Sequence, residues 1–245
     1  MLRRLSVWCT ALAFGLLALP LHDVAAQERV REARSVEAFT AVAFHVPGTL
    51  HLRQGDDRSV EIEAPQRVLD QFEAAVENGT LTLPVGQDTG FLDRLFGDGE
   101  SYDAEVDVYV TAPTIESVSL TGSGEIVGEN QIEAETFALN VAGAGRTTLT
   151  LNTDQLDVQV AGSGTTTLRG RAGTLSVNIA GSGDLRAAEL ETQATEVNIA
   201  GSGDADLHVT EQLEASIFGS GDVGYRGRPA VSTNIVGSGN VNAID

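Results

Sequence analysis

The stretch "SVNIAGSGDLRAAELETQATEVNIAGSGDADL", residues 176–207, says nearly the same thing twice: Val-Asn-Ile-Ala-Gly-Ser-Gly-Asp runs from Val177 and again from Val197. Outward from this pair the glycine corner recurs along the chain. Gly-Ser-Gly begins at Gly122, Gly162, Gly181, Gly201, Gly219 and Gly237, and Gly-Ala-Gly at Gly143 fills the gap, giving successive intervals of 21, 19, 19, 20, 18 and 18 residues. A period near twenty, held over seven copies, marks a stacked-coil architecture in which each unit buries its apolar face against its neighbours.

The residues before each corner decide which stack this is. Phe137, Leu139 and Val141 alternate with polar residues, as do Leu156, Val158 and Val160, then Leu175, Val177 and Ile179, then Leu213, Ala215 and Ile217. Period two is that of a strand with one buried face. After the corner the alternation resumes, as in Leu149 and Leu151 or Leu207 and Val209, before polar stretches such as "ETQATE" and "RGRPAV" that read as looser returns. No segment of residues 112–245 has a helical period, which removes helical and leucine-rich solenoids. The expected fold is all-β: a single-stranded parallel β-helix of 18–21 residues per coil, with the crossover rule favouring a right hand.

The corners themselves are Gly122-Ser123-Gly124, Gly162-Ser163-Gly164, Gly181-Ser182-Gly183, Gly201-Ser202-Gly203, Gly219-Ser220-Gly221 and Gly237-Ser238-Gly239. Two sheets meeting at a crowded bend call for positive φ and no side chain, so these are structural positions. Their serines would stack at the ~4.8 Å interval of neighbouring strands, and seven coils at that rise make a rod of roughly 30 Å. A second polar column, Ser119, Asn140, Gln159, Asn178, Asn198, Ser216 and Asn234, points outward by parity. Ladders of this kind hydrogen-bond along a stack and hold register.

Residues 27–111 lack the corner and read as strands, a hairpin and a cap belonging to the same domain. Phe39 to Val46, Leu50 to Leu52 and Val60 to Glu63 alternate like strands, "APQRVLDQF" suits a short helix or turn, and Asn78-Gly79 between alternating runs is a strong hairpin signal. An end coil needs its open edge covered, which is the role this third would serve.

Residues 1–26 read as a signal peptide. Arg3 and Arg4 precede an apolar run from Val7 to Leu21, and Val24-Ala25-Ala26 supplies a small-residue cleavage site. The single cysteine, Cys9, and the single tryptophan, Trp8, fall in that segment, so the exported chain would carry no disulfide and no thiol chemistry. No second apolar stretch approaches the ~20 residues of a membrane helix. The formal charge is −20, and removing Arg3, Arg4 and Asp23 takes away a net +1 and leaves −21. Such a chain repels nucleic acid and anionic lipid surfaces, so neither is an expected partner. All fifteen basic residues are arginine.

The run "FTAVAFHVPGTLHLRQGDDRSVEIEA" from Phe39, then "NGTLTL", then "VDVYVTAPTIESVSLTGSG", then serial "IAGSGD" resembles a bacterial exported family, the auto-transporter adhesin head or GIN domain, a domain of unknown function. The resemblance runs from about Val36 to the C-terminus. It implies a β-helix-like fold and export to the cell envelope, and it supplies no catalytic residues to carry over.

The residues agree that chemistry is sparse. Gly-Ser-Gly is not a nucleophile elbow, and six equivalent serines lack the single special base that catalysis requires. Asp184, Asp204 and Asp222 form one column after the corner, where Ca²⁺ between coils is a weak candidate and turn formation the favoured reading, because each level supplies few ligands. His45, His51 and His208 have no metal-ligand spacing and read as outward strand residues. No cofactor is expected. "GFLDRLFGD" gathers Phe91, Leu92, Leu95 and Phe96 on one side of a short turn that either plugs the β-helix or docks a partner. The expected function is a non-enzymatic envelope binding or adhesion module, periplasmic or secreted, offering its ladder faces to a glycan or protein, with oligomers allowed. The alternatives are a carbohydrate-active lyase or hydrolase on the same fold, or a structural scaffold.

Overall fold

The computed structural model describes residues 29–70, 72–83 and 106–244. The expected signal segment, residues 1–26, and the turn bearing Phe91, Leu92, Leu95 and Phe96 lie outside the described residues. The chain folds as a parallel β-solenoid of about 7 turns. Its first part contains β1 (Arg29–Arg34), β2 (Ala41–Phe44), β3 (Thr49–Gln54), β4 (Ser59–Pro65), α1 (Gln66–Leu69), β5 (Ala75–Glu77), β6 (Thr80–Leu83), β7 (Asp107–Ala112) and β8 (Ser117–Gly122). Five long strands follow: β9 (Glu125–Gly143), β10 (Arg146–Gly162), β11 (Thr165–Gly181), β12 (Asp184–Gly201) and β13 (Ala205–Gly219). The last described turns are β14 (Asp222–Arg226), β15 (Ala230–Gly237) and β16 (Asn240–Ala243).

The corner glycines stack as the repeat demands. Gly122, Gly143, Gly162, Gly181, Gly201, Gly219 and Gly237 are successive register partners. Each has positive φ, from 104° at Gly122 to 144° at Gly219. The amide after each glycine donates to the glycine carbonyl one coil earlier, as in Ser202 N to Gly181 O at 2.8 Å. The apolar residues named above fill the interior, with Leu139, Val158, Val177, Val197 and Ala215 all fully buried.

The returns are tighter than their polar sequences suggest. "ETQATE" is not a loop: β12 runs unbroken around the second bend, and pairing with its neighbours lapses only between Thr167 and Arg169, Ala187 and Glu191, and Thr192 and Ala194. Two threonines, Thr192 buried and Thr210 exposed, hold that bend. Thr192 Oγ1 donates to His208 O at 2.9 Å, and Thr210 Oγ1 donates to Thr192 O at 2.9 Å. Only "RGRPAV" interrupts the strand, between β14 and β15, where Pro229 has no N–H to give the ladder.

At the N-terminal end the coils do not stack in chain order. The coil formed by β2 and β3 lies between β6 and β7 on one side and β8 and β9 on the other, all parallel. Beyond this level the strands reverse. β4 pairs antiparallel with β7 and β1 antiparallel with β4, while β5 pairs antiparallel with β6 through the Asn78-Gly79 turn, whose φ angles are 51° and 77°. These strands cover both outer edges, and Val68, Leu69 and Phe72 in and after α1 are buried beside them.

One column of the interior breaks its own pattern. Ile126, Thr147, Thr166 and Leu185 are register partners facing inward, and the Oγ1 atoms of Thr147 and Thr166 are buried with no hydrogen-bond partner among the described residues. An orphaned buried hydroxyl costs more than a methyl of the same shape. Thr166→Val is expected to raise the unfolding free energy by about 1 kcal/mol, seen as a higher urea midpoint with an unchanged slope; a loss of stability would show that the hydroxyl is satisfied.

Candidate functional site

The strand halves before each corner bury alternate residues, so the others form a flat outer face. Its central column is the one read from the sequence: Ser119, Asn140, Gln159, Asn178, Asn198, Ser216 and Asn234 are successive register partners. Asn198 Nδ2 donates to Glu196 Oε1 at 3.1 Å and reaches Asn178 Oδ1 at 3.5 Å, the one direct rung along the column. The next column outward from the corner is Asp157, Ser176, Glu196 and Glu214, and beyond it lie Gln155, Thr174, Ala194 and Gln212. These two columns line an open groove of about 290 Å³ that crosses four coils, floored by Leu156, Leu175 and Thr195.

The electrostatics of this face are one-sided. None of its columns contains a basic residue, and Glu196 and Glu214 are direct neighbours across β12 and β13. Two such charges ~4.8 Å apart repel by about 1 kcal/mol in water-like dielectric. The stretch after the corner is different, with Arg169 Nε on Glu189 at 2.8 Å and Arg171 near Glu191 at 4.0 Å. Charge is neutralised on one side of the coil and left on the other.

Near the corner the same face carries Ala142, Ala161, Ala180 and Ala200, a flat strip whose next register partners are Phe218 and Val236. Phe218 is 53% exposed. Aligned on the corner glycines, the repeats place this one Phe in a column of Ala, a signal present in the sequence.

The other expected positions sort as follows. All six corner serines are exposed at the bend, with no histidine among their register neighbours. In the acid column Asp204 Oδ1 accepts the Asp222 N–H at 2.8 Å, and Asp222 Oδ1 accepts the Asn240 N–H at 2.8 Å and its Nδ2 at 3.0 Å. Those carboxylates tie each coil to the next. Among the described residues no three His, Cys, Asp or Glu side chains converge as a metal site. His45 is half-buried, and burial holds its imidazole below the usual range.

His51 faces outward from β3 as expected, but it is half-buried there by its neighbours. Its ring stacks on Tyr109 at 4.5 Å and 10°, with Asp107 Oδ1 3.4 Å from Nε2, while Arg31 lies over the other Tyr109 contact region at 3.8 Å from the ring centroid. Arg29 pairs with Asp107, and Arg31 with Glu61 at 2.6 Å. Burial, then Asp107 and Glu63, push the Tyr109 phenol above its usual range. The cluster joins β1, β4, β7 and β3, and its charges answer one another. It locks the cap to the first coils.

The solved structure of a "putative adhesin" from Bacteroides fragilis NCTC 9343 superposes with a TM-score of 0.80 at 23% identity, covering 89% of this chain and 98% of that one. A "Putative lipid binding protein" from Parabacteroides distasonis ATCC 8503 gives 0.69 at 22% identity, over 90% and 98%. A "putative adhesin" from Parabacteroides merdae ATCC 43184 gives 0.68 at 18%, over 90% and 98%. At these identities the likeness is one of fold. No curated protein matches the chain. The model of the "Putative auto-transporter adhesin, head GIN domain" family matches residues 38–229, from the buried Phe39 of the first coil to the Pro229 bend. Since that span takes in every coil, corner and polar-face position before the last turn, the chain belongs to the auto-transporter adhesin head GIN domain family.

Proposed function

We propose that this protein is an exported, non-enzymatic binding module of the cell envelope, which presents its flat face of stacked amides and carboxylates to an uncharged glycan or to a protein. The observation that carries the reading is the groove across β10 to β13, bounded by Gln155, Asp157, Ser176, Glu196, Gln212 and Glu214. Four coils set polar side chains at one interval, an amide beside a carboxylate on β10 and β13, hydroxyls on β11 and a carboxylate on β12, which suits a repeating ligand lying along the stack. The lack of any basic residue on the face disfavours anionic polysaccharides, and Phe218 at its end offers a stacking ring. Family and fold neighbours bear the names of binding proteins, adhesins foremost. The leader read at residues 1–26 supports export. The groove lining is mostly polar, which speaks against a lipid-chain site there.

The test is retention of neutral envelope glycan on the immobilised protein, compared with the double variant Ser176→Arg, Asn178→Arg, whose long side chains cover the groove from the outward face of β11. Retention is expected to fall at least about ten-fold, the loss of ~1.4 kcal/mol of binding, with thermal unfolding unchanged. Equal retention by both proteins would remove the face from the reading, and new reducing ends released from the glycan would replace binding by cleavage.

A further inference from the structure

The C-terminal turn differs from the rest of the described surface. Among the described residues the exposed large apolar side chains are Phe218, Val231, Ile235, Val236 and Ile244, and all sit on the last two coils. Val231, Thr233 and Ile235 continue the inward columns of Leu213, Ala215 and Ile217, yet none of the described residues stacks on them. They are core residues facing outward along the rod. The free edge of β15 and β16 also lacks the charges, bulges and antiparallel covering that protein sheets use to block pairing. In a chain of net charge −20, the run from Pro229 to Ile244 carries no charged residue.

We infer that this end binds a second copy of the same chain, tail to tail, with β15 of one copy pairing antiparallel to β15 of the other about a two-fold axis normal to the polar face. Charge selects that partner and geometry. Two copies this acidic repel along their flanks, and the neutral end is where they approach at least cost. The opposite end has as its edges β1, which carries Arg29, Arg31, Glu32 and Arg34, and the three-residue β5, both poor templates for β15, so the contact closes as an isologous dimer instead of growing head to tail. A rotation about the face normal reverses strand direction but keeps each face in place, so inward residues meet inward residues. Val231 then lies opposite Ile235 of the second copy, and Thr233 faces its own symmetry mate. A strand of eight residues is ~26 Å long, so the pairing of this end with its symmetry mate is a small contact, at the low end for specific association. The dimer is therefore reversible, with a dissociation constant on the order of micromolar. It would double the length of polar face offered to a repeating ligand, although the pairing stands independently of what that face binds.

Sedimentation velocity on the exported protein, from roughly 1 to 100 µM to bracket that constant, is expected to show monomer passing to dimer and stopping there. Thr233→Asp, which sets two carboxylates against each other at the axis, should weaken association at least about ten-fold, while the same charge added at the exposed corner by Ser163→Asp should leave it unchanged. Opposed residues of an antiparallel pair have Cα atoms ~4.5–5.5 Å apart, within disulfide reach, so Thr233→Cys should give a covalent dimer on mild oxidation. Circular dichroism confirms that each variant remains folded. A monomer throughout that range, a dimer indifferent to Thr233→Asp in a folded protein, or open-ended oligomers would each overturn the inference.

Discussion

Gly201→Ala is expected to destabilise the protein by about 4 kcal/mol or more, whereas Gly122→Ala, at the same corner position in the stack, should cost about 1–2 kcal/mol. Both residues have positive φ, 135° and 104°, so both substitutions strain the backbone alike. They differ in what lies beneath. A Cβ at Gly201 would sit 2.1 Å from Gly181 O and 2.9 Å from its carbonyl carbon, whereas at Gly122 nothing lies within 4 Å. The Gly181 carbonyl cannot move aside, because it accepts the Ser202 amide at 2.8 Å and belongs to a column fixed in the same way above and below. Relief would have to separate two coils, taking the pairs Ala180–Ala200 and Ile179–Ile199 with it. Urea unfolding of the two variants checks this. Equal losses would mean that φ alone selects glycine at the corner, and that the stack tolerates a methyl between its backbones.

That difference marks how far the sequence could be read. Period and parity placed the glycine column, the inward residues and the Ser119 to Asn234 column correctly, because a parallel stack with one coil per repeat turns sequence offset directly into spatial neighbourhood. The same logic has no hold on residues 29–112, where no repeat exists. Alternation in Phe39 to Val46 says which side of β2 is buried, but it cannot say that the neighbours of β2 are β6 and β8, from segments far apart in the chain. "ETQATE" was misjudged for a related reason: its polarity reports one exposed face, while its backbone remains paired through Glu191–His208 and Thr195–Leu213. At the candidate site only the Ser119 to Asn234 column was legible; the two columns beside it that line the groove were not read, and depth depends on how Leu156, Leu175 and Thr195 sit beneath their side chains. The stack of Arg31, Tyr109 and His51 was also invisible, because it brings together three strands with no common spacing.

The stitched end makes the second large effect a local one. Phe44 is fully buried and pairs with Leu83 of β6 on one side and Leu120 of β8 on the other, so a single ring fills space bounded by three separate segments of chain. Phe44→Ala should cost about 3–5 kcal/mol, the sum of lost transfer energy and a cavity whose rigid walls cannot collapse. In a stack whose coils touch only their neighbours, that loss need not spread. Hydrogen exchange is expected to quicken at the amides of β2, β6 and β8 while β11 and β12 keep their protection, because those two pair with each other and with β10 and β13, never with the damaged coil. The physical cause is loop closure. Each of the regular coils meets its neighbour after about twenty residues, whereas the level of β2 must wait for strands that arrive from roughly 40 and 75 residues later, at a greater entropic cost. Uniform loss of protection along the whole solenoid would show instead that the cap and the repeat fold as one cooperative unit, and that the first coil seeds the stack.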